Sequence, residues 1–278
     1  YSPTNIKVHN KMIHLRELEI NMGQSNDDSY PFNVPAIIKL SKLAFETPCT
    51  IFVGENGSGK STLIEGIAYS TGMITIGSEE IGVDQTMKAI KPLADKMKLI
   101  WNKITHRGFF LRAEDFFGFV KRTRQLQHSL NEELKRVDEA YADRSNYAKQ
   151  LAKMPSASSL HALNQRYGEN LDAYSHGESF LRLFQSRFIP GGLYLLDEPE
   201  AALSPTCQLG LISMIKEMMA KDGQFIIATH SPILMAIPGA NIFDFDQSPP
   251  GPANYEDLEH VRMYRMFLND PKAFVNRL

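Results

Sequence analysis

Long apolar runs are missing from these 278 residues. The longest, Phe225-Ile226-Ile227-Ala228 and the run ending at Leu196, fall far short of the roughly 20 residues that cross a bilayer. No membrane span is expected. Cysteine is scarce as well: Cys49 and Cys207 are the only two and sit in unrelated contexts. That argues against a disulfide framework or a cysteine-held metal, and points to a reducing, cytoplasmic setting. The chain starts at Tyr1 without the basic, then apolar, then small-residue pattern of a secretory leader. Nor does charge of one sign dominate, since 30 basic residues meet 32 acidic ones. What is present is ordinary globular material. With 43% apolar residues, the chain can bury one large core, or one core with a helical sub-domain.

The near-neutral charge hides a division along the chain. Residues 86–166 hold 16 Lys and Arg against 8 Asp and Glu, leaving 14 against 24 elsewhere. Such asymmetry fits either a solvated helical face or a surface for an anionic partner.

Short apolar runs separated by turn residues open the chain. Met12 to Leu15 and Ala36 to Leu40, with an Asn/Asp/Ser/Pro stretch between them, read as strands joined by a loop. Thr50-Ile51-Phe52-Val53 is a compact β-branched and aromatic run. A Gly-rich turn follows, then Leu63, Ile64, Ile67 and Ala68 at helical spacing, which makes strand, loop, helix. From about residue 86 the pattern turns helical. Leu126, Leu130, Leu134, Val137 and Tyr141 line one face of a long helix. Gly108 to Phe119 reads as a buried strand running into a helix, and Pro155 to Tyr174 as a loop-bearing connection. Beyond it, helix near 178–188, strand 193–196, helix near 206–221 and strand 225–228 alternate, the order that yields parallel βαβ units. Residues 258–278 look like a helical pair broken at Pro271.

Four motifs carry chemistry. Gly54-Glu55-Asn56-Gly57-Ser58-Gly59-Lys60-Ser61-Thr62 matches G-x-x-x-x-G-K-[ST] between a strand and a helix. Its glycines let backbone N–H groups face phosphates at the positive end of a helix. Lys60 would reach the β- and γ-phosphates, and the Ser61 hydroxyl would hold Mg²⁺. Leu193 to Leu196 is an apolar strand whose end carries Asp197 and Glu198, the first placed for Mg²⁺ and the second for an attacking water. Tyr174-Ser175-His176-Gly177-Glu178-Ser179 contains S-x-x-E, a capping box, and a capped helix start beside a glycine is also an anion site. Finally, the strand Phe225 to Ala228 ends in Thr229-His230, with His230 placed to read a γ-phosphate.

Phosphate loop, S-x-G-E, strand-Asp-Glu-Pro and Ala-Thr-His, in that order, resemble the ABC ATPase superfamily. Asp197 to Pro205, Ser175 to Phe180 and the late Tyr255-Glu256-Asp257-x-Glu259-His260 narrow this to small stand-alone bacterial ATPases, over nearly the whole chain. More distantly the sequence is similar to soluble SMC, RecF and OLD-type ATPases of DNA repair and phage defence. The resemblance implies an α/β P-loop fold of ABC type, a mixed sheet core with an inserted helical lobe. Its parts would be residues 1–84 and 178–278 for the core and 85–177 for the lobe. It implies ATP and Mg²⁺ as cofactors and hydrolysis by Glu198 with His230. It also implies an ATP-dependent homodimer in which Ser175 and Gly177 of one chain close over the phosphate loop of the other. A nucleic acid or a further protein stays open as partner, and an energising subunit of a separate membrane transporter is the alternative reading. There are departures from the pattern. Glu178 replaces the usual Gln, and Ser204 stands where an Asp is expected. For the Mg²⁺-contacting Gln the candidates are Gln85 and Arg112-Ala113-Glu114; for an adenine-stacking ring they are Tyr30 and Phe32.

Overall fold

The computed structural model describes residues 12–22, 29–75, 85–167 and 176–276. Its first half runs β1 (Leu15–Ile20), α1 (Pro35–Lys39), β2 (Lys42–Ala44), β3 (Cys49–Val53), α2 (Lys60–Thr71), α3 (Lys91–Ala94), β4 (Met97–Trp101) and β5 (Gly108–Arg112). Two long helices follow, α4 (Ala113–Ala140) and α5 (Asn146–Tyr167). The second half is α6 (His176–Arg187), β6 (Leu193–Asp197), α7 (Pro205–Met219), β7 (Gln224–Ala228), α8 (Pro232–Met235), β8 (Asn241–Asp244), β9 (Gly251–Ala253), α9 (Glu259–Asn269) and α10 (Pro271–Val275).

Strands β3, β6 and β7 are buried along their whole length, as expected of strands covered on both faces. They lie together in a six-stranded sheet of order β5-β6-β7-β3-β8-β9. Its first five strands are parallel, and β9 joins β8 antiparallel. Alternation along each strand divides the core in two. Ile51, Val53, Tyr194, Leu196, Phe225 and Ile227 pack with α6 and α7 through Phe180, Phe184, Leu211 and Ile215. On the other face Phe52, Leu193, Leu195, Ile226 and Ala228 meet Leu63, Ile64 and Ile67 of α2. A separate antiparallel sheet, β2-β1-β4, closes that second face. The fold is α/β with a mixed sheet, as the sequence implied.

Three local expectations are corrected. Ala36 to Leu40 is not a strand: Pro35 starts a short helix there, and Ala36 and Ile37 turn into the core together. Pro155 to Tyr167 belongs to α5, which runs through Pro155. Packing on α4 overrides the local turn signals, with Gln127 donating to Asn164 Oδ1 at 2.9 Å and Lys149 paired with Asp138. The expected lobe boundary at 85 also falls too early. β4 pairs with β1, and β5 pairs with β6, so residues 97–112 are sheet, and the helical insertion begins at Ala113. The buried strand at Gly108 is as expected, whereas β4, a partly exposed edge strand, has no apolar alternation to set it apart from a helix face. Several basic residues of this stretch are also matched locally, Lys135 by Glu132 and Lys153 by Asp138.

Candidate active site

The parallel order brings the C-terminal ends of β6, β7 and β3 side by side, the place where open α/β sheets bind ligands. After Val53 the chain turns through Gly54 to Gly59 into α2. Gly59 sits at φ 105°, and a Cβ there would lie 2.6 Å from Val34 Cγ1, so no other residue fits the turn. Glu55, Asn56 and Gly57 are exposed at the rim. Lys60 is only 4% exposed. Its Nζ folds back on the loop, donating to Gly54 O at 2.7 Å, Glu55 O at 2.8 Å and Ser58 Oγ at 3.3 Å. Burial lowers its pKa, opposed by the carboxylates of Asp246, Glu198, Asp197 and Glu55. A buried cation on a glycine-rich turn that opens a helix is a cradle for an anion.

At the next residue, Ser61 Oγ donates to Asp197 Oδ1 at 3.1 Å. Asp197 ends β6 and is 8% exposed. Burial pushes its carboxyl up to about 7, against the pull of the Ser61 hydroxyl. Glu198 follows in the left-handed region at φ 49° and ψ 50°, a conformation a β-carbon disfavours by roughly 1–2 kcal/mol. Its N–H prolongs the ladder to Ala228 O at 2.9 Å. This kink turns the Glu198 side chain toward the end of β7, where its Oε1 lies 3.7 Å from His230 Nε2. That nitrogen is buried and has no hydrogen-bond partner among the described residues. Burial, then the nearby Lys60, lower the pKa of His230, so the ring is neutral at pH 7.

Of the other sequence candidates, Gly177 is described and buried: a Cβ on it would meet Cys207 Sγ at 3.0 Å. Its smallness lets α6 pack on α7. Ser175 lies outside the described residues. Thr62 is buried and contacts the Tyr30 hydroxyl, which places Tyr30 beside the loop. Phe32 is core, 5% exposed, with Lys96 Nζ 4.4 Å from its ring centre, so it offers no face to a base. Arg112 ends β5 in register with Asp197 and pairs with Asp115 at 2.8 Å and Glu65 at 3.6 Å. It thereby ties α2, β5 and α4 together at the site's edge. Gln85 opens a 3₁₀ turn, Gln85–Ile90, packed on α2.

Sequence reasoning missed three residues. Asp246 Oδ1 accepts the Glu55 N–H at 2.8 Å. Glu200 Oε1 accepts the N–H groups of His230 at 2.6 Å and Ser231 at 3.1 Å. His260 Nε2 lies 3.5 Å from Glu55 Oε1. Each contact joins segments far apart in the chain, so no local pattern marks it. The second Glu of the Asp-Glu-Pro-Glu run and the late Glu-His pair were the only signals available.

A phosphate loop after β3, an acidic end on β6 and a histidine end on β7 define an α/β P-loop nucleotide-binding domain with the motif order of the ABC type. Residues 83–236 match the family described as "AAA domain, putative AbiEii toxin, Type IV TA system". The chain belongs to that family. Among solved structures it is similar to the Smc head domain of Pyrococcus furiosus bound to the C-terminal domain of ScpA. The identity is 13%, covering 93% of this chain and 100% of that one, with a TM-score of 0.46. It is also similar to the SMC head domain of Thermotoga maritima, at 16% identity, 87% and 98% coverage and a TM-score of 0.43. An ATP-binding cassette of an ABC transporter in its ADP conformation gives 18% identity, 94% and 96% coverage and a TM-score of 0.44. None of the curated proteins matches the chain. Among the described residues, no helix is long and apolar enough to cross a membrane.

Proposed function

We propose that this protein hydrolyses ATP to ADP and phosphate, using Mg²⁺, in a head-to-tail dimer that closes on two nucleotides. The observation that carries the reading is the meeting of Ser61 Oγ and Asp197 Oδ1 at 3.1 Å beside the buried Lys60, with Glu198 and His230 3.7 Å apart at the next strand end. An oxygen-only pair that includes a buried carboxylate fits a magnesium ion. Ser61 and Asp197 would hold it, and when bound it neutralises phosphate charge. The chain's own residues do the rest. Backbone N–H groups of Gly54 to Thr62 orient the phosphates, and Lys60 exchanges its contacts with the loop carbonyls for phosphate oxygens. Glu198 takes a proton from the attacking water at a carboxylate oxygen. His230, neutral and with a buried Nε2, donates to the terminal phosphate or to that water. Gly177, together with Ser175 of the same motif, would close over the partner's nucleotide, so that hydrolysis depends on dimerisation. The toxin–antitoxin wording of the matched family supports a defence setting for this switch.

Glu198→Gln tests the scheme. The amide keeps the volume but cannot take the proton, so turnover should fall by roughly 10²-fold or more while ATP binding persists. With ATP and Mg²⁺ the variant should elute as a dimer in size exclusion, and with ADP as a monomer. Hydrolysis at the wild-type rate would remove Glu198 from the mechanism. An inactive variant that stays monomeric at saturating ATP would refute the closed dimer.

A further inference from the structure

The C-terminal segment beyond the sheet reaches back to the phosphate loop. Tyr255 donates its hydroxyl to Pro232 O at 3.2 Å, just past His230, and Leu258 and Val261 are buried in the first core, 5% and 3% exposed. These anchors hold the first turn of α9 in one place. They set the His260 side chain, 18% exposed, with Nε2 3.5 Å from Glu55 Oε1 and its ring centre 5.8 Å from that of His230. Glu55, His260, His230 and Glu198 thus form a row from the loop rim to the hydrolytic carboxylate. Glu55 is the odd member. It sits at the first variable position of a loop shaped for anions, and its own side chain is 77% exposed. Left free, that charge would repel phosphate oxygens.

We propose that His260 is a positioning residue of the ATP site, which draws the Glu55 carboxylate aside from the phosphate cradle. The inference rests on the ATPase reading above and adds α9, an element outside the phosphate-loop core, to its working parts. Without a side chain at 260, Glu55 competes with the incoming phosphates for the loop's positive potential.

The experiment is a double-mutant cycle on nucleotide binding, read by calorimetry with a non-hydrolysable ATP analogue and Mg²⁺. His260→Ala should weaken binding by about three- to tenfold. His260→Gln, whose amide can reach the Glu55 carboxylate as a donor, should recover part of that loss. In a Glu55→Ala background, His260→Ala should cost less than twofold, because the carboxylate it restrains is gone. Unchanged melting of the nucleotide-free variants separates this coupling from a folding defect. Wild-type affinity in His260→Ala, or the same loss with and without Glu55, overturns the proposal and leaves the ATP site standing. A wild-type protein that binds no analogue overturns both.

Discussion

Glu200 shows how one buried carboxyl can set the geometry of another residue's chemistry. Its Oε1 accepts the N–H groups of both His230 and Ser231, so the turn that carries His230 is pinned to the turn that carries Glu198. Glu200→Ala leaves two donors without that acceptor and should destabilise the fold by about 1–3 kcal/mol, with loss of turnover as His230 drifts. Glu200→Gln keeps an acceptor oxygen, and it removes a charge that burial disfavours. Burial raises the Glu200 carboxyl above its ordinary value of 4.5. A raised folded-state pKa gives stability that is fully present below the unfolded value and is lost as pH rises through the folded one. The Gln variant never ionises, so its advantage over wild type should widen between pH 5 and pH 8. Urea denaturation at the two pH values reads this directly, and a margin that is constant or shrinks with pH would contradict it.

At the scale of elements, burial on both faces decided what was legible. β3, β6 and β7 stood out as short apolar runs because the sheet covers both their sides. Motifs at their ends could then be placed by topology alone, and Gly54 to Thr62, Asp197, Glu198 and His230 do converge. β4 was not legible. It is an edge strand of the small sheet with no fully buried residue, and it carries no apolar alternation to separate it from a helix. Nor could Asp246 be placed, because its contact with Glu55 spans 191 residues. The C-terminal half of α5 was obscured for a different reason: Pro155, Ser156 and Ser158 signal a turn, yet α4 holds the segment helical. Pro155 has no N–H to donate and crowds the preceding turn, and proline costs roughly 3 kcal/mol against alanine within a helix. Pro155→Ala should therefore stabilise α5 by about 1–3 kcal/mol, seen as slower hydrogen exchange along residues 151–160. Faster exchange there would mean that the proline fits its bend and α5 is built around it.

For the whole molecule, the site's position predicts how nucleotide changes stability. The phosphate loop, Asp197 and His230 stand at the ends of three adjacent central strands that separate the two cores, so unfolding either core dismantles the site and ligand binds only the intact fold. Under that condition ATP with Mg²⁺ at 100 times its Kd stabilises by about 2.7 kcal/mol. For a chain of this size, about 2–4 °C per kcal/mol gives a rise in Tm of about 5–10 °C. Lys60→Ala also frees the carbonyls of Gly54 and Glu55 that Lys60 satisfies, so its own Tm is no guide. The shift on adding ATP is, because each variant is compared with itself. If the lysine contributes tenfold or more to affinity, the same ATP concentration should raise the variant's Tm by about half as much or less. Closure into a dimer adds a second signature. Association is second order, so with ATP the Tm of Glu198→Gln should climb as protein concentration rises, and with ADP it should not. A nucleotide shift that survives in Lys60→Ala would move the site away from this loop. A shift lost there but independent of protein concentration in Glu198→Gln would leave each chain binding its nucleotide alone.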